Sequence, residues 1–195
     1  MTKAIRYGIQ GGPGSFNESA FYLHRVCHPD KSYELIYLDT TSNVLDSLHN
    51  GQIDQGQFAL FNSYAGPYDE SLSAIGKYNF KPLQYHKLPI KHVMMVLQDV
   101  SIDEVSVIVS NPEVFKHCKK QLAERFSRLQ IAFGEGELTD PARAAEALVQ
   151  GKLSRSTAIV SNALIAEKLG LKIIARDLQD VDCESTFLVV EQWAG

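Results

Sequence analysis

Short apolar segments alternate with segments of helical spacing along the first part of the chain. Residues 4–10, 33–38 and 57–61 are apolar runs of a length typical of strands. Between them, residues 18–26 and 44–48 carry apolar side chains at the spacing of one helical face. Because strand and helix follow each other in turn, the pattern predicts an α/β fold built on a parallel sheet.

The pattern changes at residues 83–97, which form a long β-rich stretch without glycine. We interpret this stretch as a strand that crosses between two lobes. A second alternation follows, with predicted strands at residues 105–109, 129–133 and 157–160, helices at 113–125, 141–149 and 162–169, and closing strands at 172–175 and 187–190. The sequence therefore predicts a first α/β lobe at residues 1–85 and a second at residues 86–195, whose polar C-terminal loop returns towards the cleft between them.

Composition and charge limit which binding partners and which cellular location we expect. The 195 residues are 45% hydrophobic and 22% charged, with a formal net charge of -4 and no extended basic patch. These values predict a folded domain with no nucleic-acid partner. The N-terminus has no apolar stretch of signal-peptide length, and no window approaches the roughly 20 apolar residues of a membrane span. We therefore expect a soluble cytoplasmic protein with no membrane partner.

The sequence predicts neither a metal nor a cofactor. The loop Gly11–Gly14 lies between a strand and a helix, where its backbone N–H groups could bind an anion, but it matches neither a dinucleotide fingerprint nor a P-loop. The histidines form no H-E-x-x-H motif. The cysteines, Cys27, Cys118 and Cys183, are odd in number and widely spaced, which is typical of reduced thiols rather than of disulfides or metal ligands.

Polar side chains at predicted strand ends are the candidates for ligand binding. Asn62 and Ser63 follow one strand of the first lobe, and Ser110 follows a strand of the second. Ser110 and its neighbour Asn111 either cap the next helix or contact a ligand. Because ligands bind at the carboxyl ends of parallel strands, we predict that Asn62 and Ser110 face one cleft and bind a carboxylate by hydrogen bonds.

In their order along the chain, these loops resemble the prephenate dehydratase family. The segment Gly11–Glu18 resembles the family motif G-P-E-G-[ST]-F-S-E, and residues 51–66 resemble G-x-x-D-x-G followed by I-E-N-S-x-x-G. Further similarities lie at Ile90–His92 (I-x-H), at Ser110–Pro112 with Cys118 (S-H-P with a later Q-C), at Leu169–Leu171 (Y-G-L) and at Thr186–Val189 (T-R-F-L-V).

The resemblance implies two α/β lobes joined by a hinge, similar to type II periplasmic binding proteins, with a small carboxylate substrate between them. It implies a lyase of phenylalanine biosynthesis that removes carbon dioxide and hydroxide from prephenate to give phenylpyruvate, and it suggests a homodimer. The substrate-binding residues implied by position are Ser15, Phe16, Phe61, Asn62, Ser63, Ser110 and Phe187. Since the chain ends at Gly195, we expect no regulatory ACT domain.

The chain departs from the family pattern at residues that carry chemistry. Ser185 stands where the family has Thr, Thr186 where it has Arg, Phe61 where it has Glu, and His117 where it has Gln. Thr186 cannot supply the bidentate, permanently charged hold of Arg on a carboxylate. Three hypotheses follow: a dehydratase with Ser185 or Thr186 as proton donor, a non-aromatising decarboxylase in which His117 protonates carbon, and a non-catalytic carboxylate-binding protein.

Overall fold

A computed structural model describes residues 3–193, which divide into two units. The chain up to Pro89, together with the segment from Cys183 onwards, forms the N-terminal unit, and Ile90–Asp182 forms the central unit. These bounds differ from the predicted lobes at residues 1–85 and 86–195. The difference arises because the last strand pairs in the sheet of the N-terminal unit and not in that of the central unit.

The N-terminal unit contains a six-stranded mixed sheet in the order β2-β1-β3-β11-β5, with β4 paired to β3. β1 runs parallel to β2 and β3, whereas β11 is antiparallel to both β3 and β5. The strands are β1 (Ile5–Ile9), β2 (Tyr33–Tyr37), β3 (Gln55–Asn62), β4 (Gly66–Pro67), β5 (Phe80–Pro89) and β11 (Glu184–Gln192), and the helices are α1 (Phe16–Cys27), α2 (Thr41–His49) and α3 (Asp69–Ile75).

Helices cover both faces of this sheet. Phe21 of α1 packs with Tyr7 and Val189, whereas Leu45 of α2 belongs to a cluster with Leu188 and other buried residues. Val189 and Leu188 are consecutive residues of β11, so their side chains point to opposite faces. Burying an apolar side chain of this size stabilises the fold by about 1.5–3 kcal/mol. The C-terminal strand is therefore a central part of the N-terminal core.

The central unit contains a five-stranded mixed sheet in the order β10-β6-β9-β7-β8. β7 is parallel to β8 and β9, and β6 is antiparallel to β9 and β10. Two short 3-10 helices, Ile102–Glu104 and Gly136–Thr139, lie in its loops. The strands are β6 (His92–Val96), β7 (Val107–Ser110), β8 (Gln130–Phe133), β9 (Thr157–Asn162) and β10 (Lys172–Ala175), and the helices are α4 (Pro112–Arg125), α5 (Pro141–Val149) and α6 (Ala163–Leu169).

Consecutive methionines of β6 divide the core of the central unit between its two faces. Met94 packs with Cys118 and Leu122 of α4, and Met95 packs with Leu148 of α5 and Ile165 of α6. All of these side chains are buried. This alternation is what period-2 side-chain placement in a strand requires.

The predicted crossing strand at residues 83–97 is two strands that belong to different sheets. β5 ends at Pro89 and β6 begins at His92, so the chain leaves strand geometry at Ile90 and Lys91. Pro89 has no backbone N–H group and cannot donate a ladder hydrogen bond, which favours the end of a strand. Within residues 3–193, no helix has the length and apolar character needed to cross a membrane.

Candidate functional site

A buried polar cluster lies where β3 and β11 meet in the N-terminal unit. Ser185 of β11 is in register with Asn62 of β3. The Asn62 Nδ2 group donates a hydrogen bond to the Ser185 Oγ atom at 3.0 Å, and the Tyr68 hydroxyl lies 3.0 Å from the same Oγ. Asn62 is 1% exposed and Ser185 has no exposed surface. The serine hydroxyl therefore has two hydrogen-bond partners at fixed positions.

The amide of Asn62 is held at both ends. Its Oδ1 atom accepts hydrogen bonds from the backbone N–H groups of Tyr64 and Ala65 at 3.0 and 2.9 Å. This turn fixes which end of the amide faces Ser185. Cys183 Sγ is a further neighbour, 3.6 Å from Nδ2. In this arrangement Asn62 orients Ser185, and the predicted direct contact of Asn62 with a carboxylate stays a prediction.

Tyr68 is a member of the cluster that sequence reasoning missed. It is 36% exposed and immediately precedes α3. Burial raises the pKa of Tyr68 above the ordinary value for tyrosine, with the hydrogen bond to Ser185 acting in the opposite direction. The phenol therefore keeps its proton at neutral pH. No spacing in the sequence indicates Tyr68, because the turn after Asn62 and the pairing of β11 bring it to Ser185.

The two hydroxyls proposed as proton donors lie on opposite faces of β11. Ser185 and Thr186 are consecutive strand residues, so their side chains diverge. Thr186 is in register with Phe61 on β3 and with Lys87 on β5. Phe61 is 44% exposed and places apolar surface beside Thr186. Of the two hydroxyls, Ser185 is the one that joins the cluster with Asn62 and Tyr68.

Ser63 ties the end of β3 to the start of β11. Its Oγ atom accepts a hydrogen bond from the backbone N–H of Glu184 at 3.0 Å, and its own backbone N–H donates to the Glu184 carbonyl at 2.9 Å. Ser63 is exposed. Ser63 is therefore both a predicted substrate contact and a residue that fixes the start of β11, the strand that carries Ser185.

The glycine-rich loop before α1 is organised around a buried carboxylate. Glu18 is fully buried and accepts hydrogen bonds from the Gly14 backbone N–H at 2.6 Å and from the hydroxyls of Tyr22 and Tyr37 at 3.0 and 2.8 Å. Ser15 is the N-cap of α1, and its Oγ accepts from the Glu18 N–H at 3.2 Å. The Gly14 N–H, one of those predicted to bind an anion, is thus used inside the protein.

Two of the three phenylalanines predicted to bind substrate, Phe16 and Phe187, have packing roles. Phe187 is 1% exposed and lies in a cluster with Ala20 and Ala59, against which the partly buried Phe16 packs. These contacts connect α1 to β3 and β11. Phe187 therefore contributes to the core directly beside the strand position of Ser185 and Thr186.

In the central unit, the parallel strands β7 and β9 end beside helix starts. Asn111 caps α4 by accepting from the Val114 N–H at 2.7 Å, and Asn162 caps α6 by accepting from the Leu164 N–H at 3.2 Å. Ser110, immediately before Asn111, is buried, and its Oγ lies 3.5 Å from the Val160 carbonyl. Asn111 therefore supplies the cap. Ser161 and Asn162 repeat this pattern, in which a polar residue at a strand end is followed by the residue that caps the next helix. The pattern is visible in the sequence and could have identified both residues as candidates for ligand binding.

His117 lies on α4 beside a second histidine. Its ring centroid is 5.8 Å from that of His92, which begins β6 and is 2% exposed. Burial, with a smaller contribution from His117, lowers the pKa of His92 to about 4. His92 is therefore neutral at physiological pH. Among residues 3–193, no group of three or more histidine, cysteine, aspartate or glutamate side chains is placed to hold a metal ion.

These features define an α/β protein with hydroxyl and amide side chains gathered at strand ends, and comparison with known proteins identifies the family. The model of the prephenate dehydratase family matches residues 7–193, so the chain belongs to that family. The predicted family and fold class are thereby confirmed. Relatives include arogenate dehydratase/prephenate dehydratase 2 of Arabidopsis thaliana, 22% identical over 184 residues covering 93% of this chain and 44% of the relative.

Another relative is the prephenate dehydratase of Lactococcus lactis subsp. cremoris, 26% identical over 158 residues, covering 80% of this chain and 54% of the relative. The chain spans about half the length of these curated relatives. Among solved structures, the prephenate dehydratase of Arthrobacter aurescens in complex with L-Phe has a TM-score of 0.82 at 21% identity, covering 98% of this chain and 61% of that one. GqqA, a quorum-quenching acylase, has a TM-score of 0.78 at 19% identity, covering 97% and 65%.

Proposed function

We propose that this chain is a prephenate dehydratase-like lyase that acts on prephenate or a closely related small cyclic carboxylate. The observation that carries the proposal is the hydroxyl of Ser185, which stands where the family has Thr and is held between Asn62 and Tyr68. A dehydratase needs a proton donor for its departing ring hydroxyl, and a positioned side-chain hydroxyl can serve as that general acid.

The pair Ser185 and Tyr68 supplies the proton in this proposal. The Asn62 Nδ2 group can only donate, so it occupies one lone pair of the Ser185 oxygen. When Tyr68 also donates to Ser185, the hydrogen of the serine hydroxyl is left for the substrate. Ser185 has no exposed surface, so a substrate reaches it only when a neighbour moves, and Tyr68 is a partly exposed neighbour.

The bond changes balance with one proton, which the hydroxyl pair delivers and then regains from solvent. The bond between the ring and its carboxylate breaks and releases carbon dioxide, and its electron pair completes the aromatic ring. The ring C–O bond breaks at the same time, and the proton from the hydroxyl pair converts the departing hydroxide to water. Aromatisation supplies the driving force, so the protein mainly orients the substrate and delivers one proton.

The assay that tests the proposed function incubates the protein with prephenate, and separately with arogenate, at neutral pH. Ultraviolet absorbance and NMR follow the products, and a control without protein corrects for spontaneous aromatisation. We expect phenylpyruvate from prephenate. A non-aromatic keto acid would instead establish the decarboxylase, which the replacement of Arg by Thr186 and the position of His117 beside His92 favour. Unchanged substrate that still binds would establish a carboxylate-binding protein.

The predicted homodimer and the predicted cytoplasmic location stay predictions from the sequence. Light scattering coupled to size-exclusion chromatography tests the first of them. A mass corresponding to two chains is the expected result, and a mass near 21.7 kDa would contradict it.

A further inference from the structure

A cavity of about 350 Å³ lies between α1 and the edge strand β2 of the N-terminal unit. Its volume is at the lower end of the range usual for small-molecule sites. The apolar part of its lining consists of Phe21, Tyr22, Tyr33 and Leu35, and the polar part consists of Arg25, Lys31 and Ser32. None of these residues belongs to the cluster around Ser185.

The cavity concentrates positive charge without a counter-charge. Arg25 and Lys31 are both exposed, and the lining contains no carboxylate. Within residues 3–193, neither side chain forms an ion pair. Four other arginines, Arg6, Arg128, Arg143 and Arg155, pair with carboxylates, whereas Arg125 and Arg176, like Arg25, form no ion pair among residues 3–193. Two cations in one cavity repel each other, and a bound anion would offset that repulsion.

The aromatic part of the cavity is held in place by hydrogen bonds and ring contacts. The Tyr33 hydroxyl lies 3.0 Å from Nε2 of the buried His24, and the Tyr33 ring packs edge-on against Phe21 with centroids 5.8 Å apart. The Tyr22 hydroxyl donates to Glu18 at 3.0 Å. Because both hydroxyls are used inside the protein, these residues offer a ligand mainly their rings. A site whose walls are already ordered loses less entropy when a ligand binds.

We propose that this cavity binds a small organic anion with a planar apolar body. The carboxylate or phosphate group of the anion contacts the Arg25 guanidinium and the Lys31 ammonium, and the planar body of the anion lies against the rings of Tyr22 and Tyr33. Arginine suits this role because its planar fork binds such groups through two parallel hydrogen bonds. The site is separate from Ser185 and does not depend on the reaction proposed above.

The test measures binding of benzoate and of phenyl phosphate to the full chain by calorimetry and by NMR titration. We expect saturable binding of at least one of the two, in the millimolar to micromolar range, and the tighter of them identifies the anionic group that the cavity prefers. Benzamide is the uncharged control and should bind at least about tenfold more weakly than benzoate. Acetate should also bind more weakly, because it lacks the planar body.

Variants locate the site. Arg25→Gln should weaken binding by about 10-fold to 100-fold, and Lys31→Gln should weaken it as well. Lys77→Gln, which removes an exposed charge elsewhere in the same unit, should leave the affinity unchanged. Ser185→Ala should also leave it unchanged, which separates this cavity from the proposed catalytic site. No saturable binding of either anion, or binding that survives the double variant Arg25→Gln with Lys31→Gln, would overturn the proposal.

Discussion

Ser185→Ala is expected to lower phenylpyruvate formation from prephenate by about 100-fold to 10,000-fold, the usual contribution of a general acid. The variant removes the hydroxyl that lies 3.0 Å from both Asn62 Nδ2 and the Tyr68 hydroxyl. Ser185→Thr restores a hydroxyl and the residue that the family has, so it should keep most of the activity. Initial rates at saturating prephenate, with circular dichroism to confirm folding, measure the effect.

Two further variants decide how the proton is delivered. Tyr68→Phe keeps the ring but removes the phenolic donor, and we expect a loss of the same order as for Ser185→Ala because the two hydroxyls act as a pair. Thr186→Ala removes the hydroxyl on the opposite face of β11 and should have a much smaller effect. Ser73→Ala, at an exposed position of α3, is the control for loss of a serine hydroxyl. A larger loss for Thr186→Ala than for Ser185→Ala would transfer the donor role to Thr186.

The alternating strands and helices could be predicted from the sequence because their signals are local. Apolar side chains at period 2 or near period 3.6 mark β1, α1 and β2, and glycine, proline or capping residues mark their ends. The same reasoning found the strand ends at Asn62 and Ser110. These features depend on neighbours within a few residues, which the sequence displays directly.

The position of β11 could not be predicted in the same way. Its insertion between β3 and β5 joins segments that are about a hundred residues or more apart in the chain, and only side-chain packing and pairing in the folded protein select that order. The prediction began this strand at Phe187, whereas it begins at Glu184. That difference places Ser185 and Thr186 inside a strand, on opposite faces, instead of together in a loop.

Short or irregular elements escaped prediction for a related reason. Helix α3 has seven residues and no side-chain cap at Tyr68, whereas α6, which has the same length, begins at the capping residue Asn162 and was predicted. Strand β4 has only two residues. Three histidines of the N-terminal unit, His24, His28 and His86, form a cluster that the sequence shows only in part. His24 on α1 and His28, the residue directly after α1, are four residues apart, which the sequence shows. His86 comes from β5 and meets His24 only through tertiary packing.

The second prediction concerns the stability of the protein at acid pH. We expect the free energy of unfolding to fall markedly between about pH 7.5 and about pH 5, because buried histidines must remain neutral in the folded protein. His24 is 2% exposed, and its pKa is lowered to about 4 by burial first and then by His28, His86 and Lys31. His86 lies with its Nε2 atom 3.1 Å from Nδ1 of His24, and burial lowers its pKa too.

The direction of this pH dependence follows from the number of protons that the folded and unfolded states bind. With a pKa of about 4 in the folded state and about 6.5 in the unfolded state, His24 binds more protons when unfolded at any pH between these values. Its stabilising contribution is therefore complete above about pH 6.5 and declines as the pH falls towards 4. At pH 5 the loss amounts to about 2 kcal/mol for such a histidine. His92 in the central unit, also with a pKa of about 4, should lose a similar amount.

The free energy of unfolding of a domain is usually about 5–15 kcal/mol, so a loss of this size is a large fraction of it. Urea unfolding followed by circular dichroism at the two pH values measures it. His24→Gln should be less stable than the wild type at pH 7.5, since it loses packing, but its stability should depend less on pH. His49→Gln makes the same substitution at an exposed histidine and should keep the full pH dependence. Equal unfolding midpoints for the wild type at both pH values would show that these histidines do not resist protonation in the folded protein.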